Sequence, residues 1–132
     1  MTLFEECLEL LGSSTEIIEN EKDINKIVKK MLSKFPATFY ERIDWQNISK
    51  KCSISSPNKI LSTLKKRGKL DNNQIYIIWS DASLPVLKGK LENVLENFDC
   101  VEAVSPDTWL YSPSAGWVIE LYHDGDITLG FE

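Results

Sequence analysis

Histidine is nearly missing from this sequence: His123 is the only one in 132 residues. Chemistry built on a nucleophile and a histidine base therefore has a single choice of base, and a multi-histidine metal site cannot be assembled. Cysteine is scarce as well. Cys7, Cys52 and Cys100 are odd in number, widely spaced and without a CxxC, which argues against a disulfide framework or a zinc knuckle and fits a reducing cytosol. The six glycines stand singly, and neither GxGxxG nor GxxxxGKS/T occurs, so nothing supports nucleotide cradling. No apolar run approaches the length of a transmembrane span. The opening Met1-Thr2-Leu3-Phe4-Glu5-Glu6 is acidic where a secretory signal is basic, so no export signal and a cytoplasmic location are expected.

These shortages leave little room for catalysis. A Cys100/His123 couple is conceivable, yet a cysteine inside an apolar run reads more readily as a small core residue. His123, Asp124 and Asp126 could offer metal ligands, but their spacing matches neither a calcium loop nor a helix-borne zinc motif. We expect no catalytic residue, no metal and no cofactor.

What the chain has in quantity is segregated charge. Residues 1–21 carry six acids and no base, residues 22–69 thirteen bases against three acids, and residues 70–132 eleven acids against two bases. The net charge of −5 hides this division, and a field-steered partner would meet two different surfaces.

The length predicts one domain over residues 1–132, of class α+β. Thr2-Leu3-Phe4-Glu5 fits a capping box for a helix with an apolar stripe at Leu3, Cys7, Leu8, Leu10 and Leu11, ended by Gly12. Ile24, Ile27, Val28, Met31 and Leu32 predict an amphipathic helix over 22–34 that stops near Pro36. In residues 37–53 Phe39, Ile43, Trp45 and Ile48 follow neither period, and a turn with a short helix or strand stays open. Ser56-Pro57 begins a helix that ends by Gly68 with Lys65, Lys66 and Arg67 in its last turn. Gln74 to Trp79 reads as a central strand, Leu87 to Phe98 as a helix and Cys100 to Val104 as a short strand. Together they predict one βαβ-like unit over 74–104, joined to a mostly antiparallel sheet.

The C-terminal run Ser105 to Phe131 reads as a β-meander turning at Asp124-Gly125. A two-residue loop would mix polar and apolar side chains on each face. A three-residue loop, His123-Asp124-Gly125, instead places Trp117, Ile119 and Leu121 opposite Phe131, Leu129 and Ile127 on one apolar face. The other face then carries Val118, Glu120, Tyr122, Asp126 and Thr128, and is expected to be the working surface.

Two binding surfaces compete. The basic helices 22–34 and 56–67 could line phosphates as a nucleic-acid-binding adaptor, although their bases lie where amphipathic helices ordinarily carry them and no aromatics are interleaved. The acidic half is the sharper case, because its acids alternate with Trp79, Trp109, Tyr111, Trp117 and Tyr122, the mixture of anchors and anions that interfaces favour. Asp81, Asp107, Tyr111, Glu120, Tyr122, His123, Asp124 and Asp126 are the expected contact residues.

The segments TLFEECLELLG, YERIDW, IYIIWSDASLPVL and VEAVSPDTWLYSPSAGWVIELYHDGDITLGF resemble the immunity proteins of contact-dependent growth inhibition systems. The resemblance implies a cytosolic, non-enzymatic antidote that binds the C-terminal toxin domain of a cognate effector one to one and blocks its active site, with no membrane or direct nucleic-acid partner. Many such toxins are nucleases. It carries no residue-level motif, so the nominated residues rest on the physical argument alone.

Overall fold

The capping box at the N-terminus forms as its residues dictate. In the computed structural model, which describes residues 1–38 and 42–132, Thr2 Oγ1 accepts from Glu5 N at 3.1 Å and Glu5 Oε1 from Thr2 N at 3.0 Å, opening α1 (Leu3–Leu11). Gly12, at φ 84°, ends it. The inward stripe of α1 is Phe4, Cys7, Leu8 and Leu11, whereas Leu3 and Leu10, expected inside, are exposed. Asn20 caps α2 (Glu21–Lys34) by accepting from Lys22 N and Asp23 N. Pro57 opens a 3₁₀ turn that runs into α3 (Ile60–Lys66).

Among the described residues seven antiparallel strands form one sheet in the order β1-β4-β3-β5-β6-β7-β2. They are β1 (Glu16–Ile18), β2 (Lys51–Ile54), β3 (Gln74–Trp79), β4 (Val86–Lys90), β5 (Thr108–Ser112), β6 (Trp117–Leu121) and β7 (Ile127–Phe131). The class is α+β, with helices concentrated early in the chain and strands late. Within 37–53 the chain makes a bridge between Ala37 and Ile43, a 3₁₀ turn at Trp45–Asn47 and then β2. Phe39 and the first two residues of the YERIDW segment lie outside the described residues.

The βαβ-like unit expected over 74–104 is replaced by a different path. Residues 86–90 form β4, antiparallel to β3 with Ile75 opposite Gly89, and the helices α4 (Leu91–Glu96) and α5 (Phe98–Ala103) follow. Leu87 is a strand residue, and the helical period begins only at Leu91. Cys100 to Val104 is not a strand because Phe98 and Val101, three apart on one helix face, are both buried. The chain then returns as β5 antiparallel to β3, so no parallel crossover is formed.

The sheet is covered on both faces. One core joins Cys7, Leu11, Ile60, Leu64, Leu91, Val94 and Val101 from the helices to Ile75, Ile77, Leu110, Ile119 and Leu129 of the strands. The opposite core sets Met31 and Phe35, with Ile24, Ile27 and Val28, against Ile78, Trp109, Tyr111 and Val118. This second layer explains why β5 and β6 are buried at every position.

The C-terminal hairpin adopts the register its alternation requires: Trp117 faces Phe131, Ile119 faces Leu129 and Leu121 faces Ile127. Tyr122 N donates to Asp126 O and Gly125 N to Tyr122 O, closing the three-residue loop His123-Asp124-Gly125 with Gly125 at φ 97°. A Cβ at Gly125 would meet nothing within 4 Å, so Gly125→Ala isolates backbone strain. It is expected to cost about 1–2 kcal/mol, read from the midpoint of urea unfolding.

Cys7 and Cys100 bring α1 onto α5 with their sulfurs 3.1 Å apart. Burial, reinforced by Cys100, pushes the Cys7 thiol up to about 12. The folded state thus holds this proton more tightly than the unfolded chain does. Its contribution to stability is complete below the ordinary thiol value of 9.0 and is lost as pH climbs towards about 12. Iodoacetamide at about pH 8 is expected to modify the half-buried Cys52 and Cys100 well before Cys7, as peptide mass mapping would show.

Candidate functional site

Glu120 sits on β6, an interior strand of the sheet between β5 and β7, and is completely buried. Strand alternation put it on an outward face, but that face is roofed by α2 and by the segment leading into the Trp45–Asn47 turn. Four donors converge on its carboxylate. Oε1 accepts from Arg42 Nε and Trp45 Nε1, both at 2.9 Å, and Oε2 from Ile43 N at 3.0 Å and Trp109 Nε1 at 3.1 Å. These bonds replace the water a buried carboxylate would otherwise lack. Glu120 is therefore an internal anchor for residues 42–45 and not part of an outer surface.

The anchor is held on a second side by the sheet backbone. A Cβ at Gly130 would lie 2.8 Å from Trp45 Cζ3 and 3.3 Å from Phe35 Cδ1, so only glycine lets the indole rest on β7. Gly130→Ala is expected to displace Trp45 and loosen its bond to Glu120, seen as a change in tryptophan fluorescence together with a lower unfolding midpoint.

Tyr111 is also removed from the expected contact surface. It is buried, with its ring 6.3 Å from that of Tyr76 across the β3–β5 pair. Desolvation, then Glu132 and Tyr76, raises its phenol above the ordinary range. The tryptophans are structural too: Trp79, Trp109 and Trp117 are buried, and their indole N–H groups reach Val101 O, Glu120 and Lys69 O respectively.

The remaining six nominated residues gather at one end of the sheet. Trp79 is paired with Thr108, Thr108 with Leu121, and Leu121 with Ile127, so the chain just beyond these ladder positions emerges on one side. Asp81, Asp107, Tyr122, His123, Asp124 and Asp126 all stand in these turns. Ser80 N donates to Asp107 O, tying the first turn to the second. Asp107 Oδ1 accepts from His123 N at 2.8 Å and lies 3.0 Å from His123 Nδ1, tying the second to the third.

Local bonds fix several of these acids. Asp81 Oδ1 accepts from Ser83 Oγ and Ser83 N, which hold its carboxyl below the usual carboxylate range. Asp124 Oδ1 accepts from Asp126 N at 2.9 Å. Asp81, His123, Asp124 and Asp126 are exposed, while Asp107 and Tyr122 are half-buried. The Tyr122 ring lies tilted against that of its neighbour His123, and the Arg42 guanidinium lies 3.9 Å above the Tyr122 ring, linking this rim to the Glu120 anchor.

The basic helices do not combine into one face. α2 packs on one side of the sheet and α3 on the other, so Lys26, Lys29 and Lys30 are separated from Lys65, Lys66 and Arg67. Glu132 pairs with Lys34 at the end of α2 through its side chain and accepts from Lys69, beyond α3, through its carbonyl. Cys100 and His123 have different partners, Cys7 and Asp107. Among the described residues no group of three His, Cys, Asp or Glu could hold a metal ion, and no helix is long and apolar enough to cross a membrane.

Arg42 and Trp45 were not foreseen as partners of Glu120, and no local pattern marks them. Glu19 and Glu21, which border a cleft beside Asp81, were likewise missed, because acids next to a helix start read as ordinary dipole partners.

A family model described as CdiI immunity protein, EcoliA0-like, matches residues 1–130, and the chain belongs to that family. A search of curated proteins returned no match. The chain is thus an immunity protein of a contact-dependent growth inhibition system, and its partner is a cognate toxin protein.

Proposed function

We propose that this protein, acting in the cytoplasm as a single domain over residues 1–132, neutralises a nuclease toxin domain by binding one to one over its active site. The carrying observation is the acidic rim, where Asp81, Asp107, Asp124 and Asp126 stand on turns bonded to one another at one end of the sheet. A nuclease must present cations to phosphate, and a preorganised anionic surface competes for the same cations. Tyr122 supplies the aromatic contact within the rim. Inhibition by occlusion requires no chemistry from the immunity protein itself.

The test uses the cognate toxin domain. Light scattering should show a complex of one copy each, and saturating immunity protein should abolish both nucleic-acid cleavage and binding of a labelled oligonucleotide by the toxin. A complex that still binds the oligonucleotide would reject active-site occlusion.

A further inference from the structure

Between α2 and the β3–β4 turn lies an open cleft of about 830 Å³. Its volume is within the range of about 300–1,000 Å³ typical of ligand pockets. Ile78, Val86 and Trp109 form the floor and Ile24, Val28 and Leu32 of α2 one wall, while the turn from Ser80 to Pro85 makes the other. Ile24, Val28 and Leu32 belong to the inward stripe of α2 yet remain only half-buried. The helix thus leaves part of its apolar face uncovered at this place, as interaction sites do.

The charge around the mouth is of one sign. Glu19, Glu21 and Asp81 line the cleft, all three exposed, and no Lys or Arg is among its described lining residues. Ser80 ties the cleft's far wall directly to Asp107 and thereby to the rim. An apolar floor with an anionic border, continuous with an acidic surface, is complementary to an apolar side chain carried between cations.

We propose that this cleft receives an apolar anchor side chain from a segment of the toxin domain flanked by Lys or Arg. The inference rests on the toxin-binding reading above and makes the cleft its central contact, with the acidic rim aligning the partner around it. Such an arrangement places the desolvated apolar contact inside and the charges at its border, so loss of the anchor raises the dissociation rate and loss of the border charges slows association.

Ala82 and Asn25 line the cleft and are solvent-exposed, so enlarging either side chain fills the mouth without entering the core. With the cognate toxin domain as probe, Ala82→Trp and Asn25→Trp are each expected to weaken binding at least about 30-fold, mainly through faster dissociation. Leu61→Trp, on α3 across the sheet, should bind like the parent. Circular dichroism and unfolding midpoints establish that the variants are folded. A benzophenone amino acid at position 82 should cross-link to a toxin segment bordered by Lys or Arg.

Parent-like binding by both cleft variants would overturn the cleft proposal while leaving toxin binding intact. Cross-linking to an acidic segment would overturn the stated chemistry of the occupant. A cleft-dependent homodimer, dissociated by Ala82→Trp, would assign the cleft to a second copy instead. Failure of the parent protein to bind the toxin at all would overturn both readings.

Discussion

Replacing Glu120 with alanine is expected to lower the unfolding free energy by about 3–5 kcal/mol, the usual range when one member of a buried ionic network is removed. The substitution would leave Ile43 N and two indole N–H groups without their acceptor, and Arg42 without its counter-charge. Unsatisfied donors in the interior are costly because neither water nor protein compensates them. Glu120→Gln keeps the shape and one acceptor oxygen but brings an amide N–H₂ against existing donors, so an intermediate loss is expected. Denaturant unfolding of the parent and both variants gives the order directly. A Glu120→Ala protein as stable as the parent would mean that the carboxylate does not anchor residues 42–45.

The second large effect concerns binding. Reversing Asp81, Asp124 and Asp126 together to lysine is expected to weaken the toxin complex by at least about 100-fold, with a slower association rate and a reduced dependence on salt. All three are exposed and lie outside the cores, so the variant should keep the parent's circular dichroism spectrum. Glu120 has no place in this set, since a lysine there would be buried among donors and any lost binding would report unfolding. Stopped-flow association at two ionic strengths distinguishes an electrostatic surface from a passive one. Unchanged rates would remove the rim from the interface.

The difference between these variants shows where local sequence information sufficed. The register of β6 and β7 was legible because a one-residue slip exchanges the two faces, and only the three-residue loop keeps Trp117, Ile119 and Leu121 with Phe131, Leu129 and Ile127. The capping box at Thr2 and the amphipathic period of α2 were legible for the same reason, since each is decided within a few residues. Glu120 was not. Alternation specifies which side of a strand a residue takes, not whether another layer covers that side, and its donors come from Arg42, Ile43, Trp45 and Trp109. β4 failed differently: Val86-Leu87-Lys88-Gly89-Lys90 runs straight into α4, so its apolar residues merged with a genuine helical period.

For the candidate site the same division holds. Asp81, Asp107 and the hairpin turn were readable as exposed polar positions between strands, but their meeting at one end depends on β3, β5 and β6 being neighbours. Chain order alone cannot supply that, because β3 and β5 are separated by β4 and two helices.

The hairpin loop with which β6 passes into β7 has a further meaning for how such a protein can change. Its acids, like Asp81, stand beyond the ladder, and the hydrogen bonds that set strand pairing do not pass through their side chains. A lineage pressed to track an altered toxin can therefore exchange these side chains individually while the Glu120 anchor and both cores stay as they are. On the proposed reading, recognition at the rim draws on residues outside both cores, which lets the rim drift without endangering the fold.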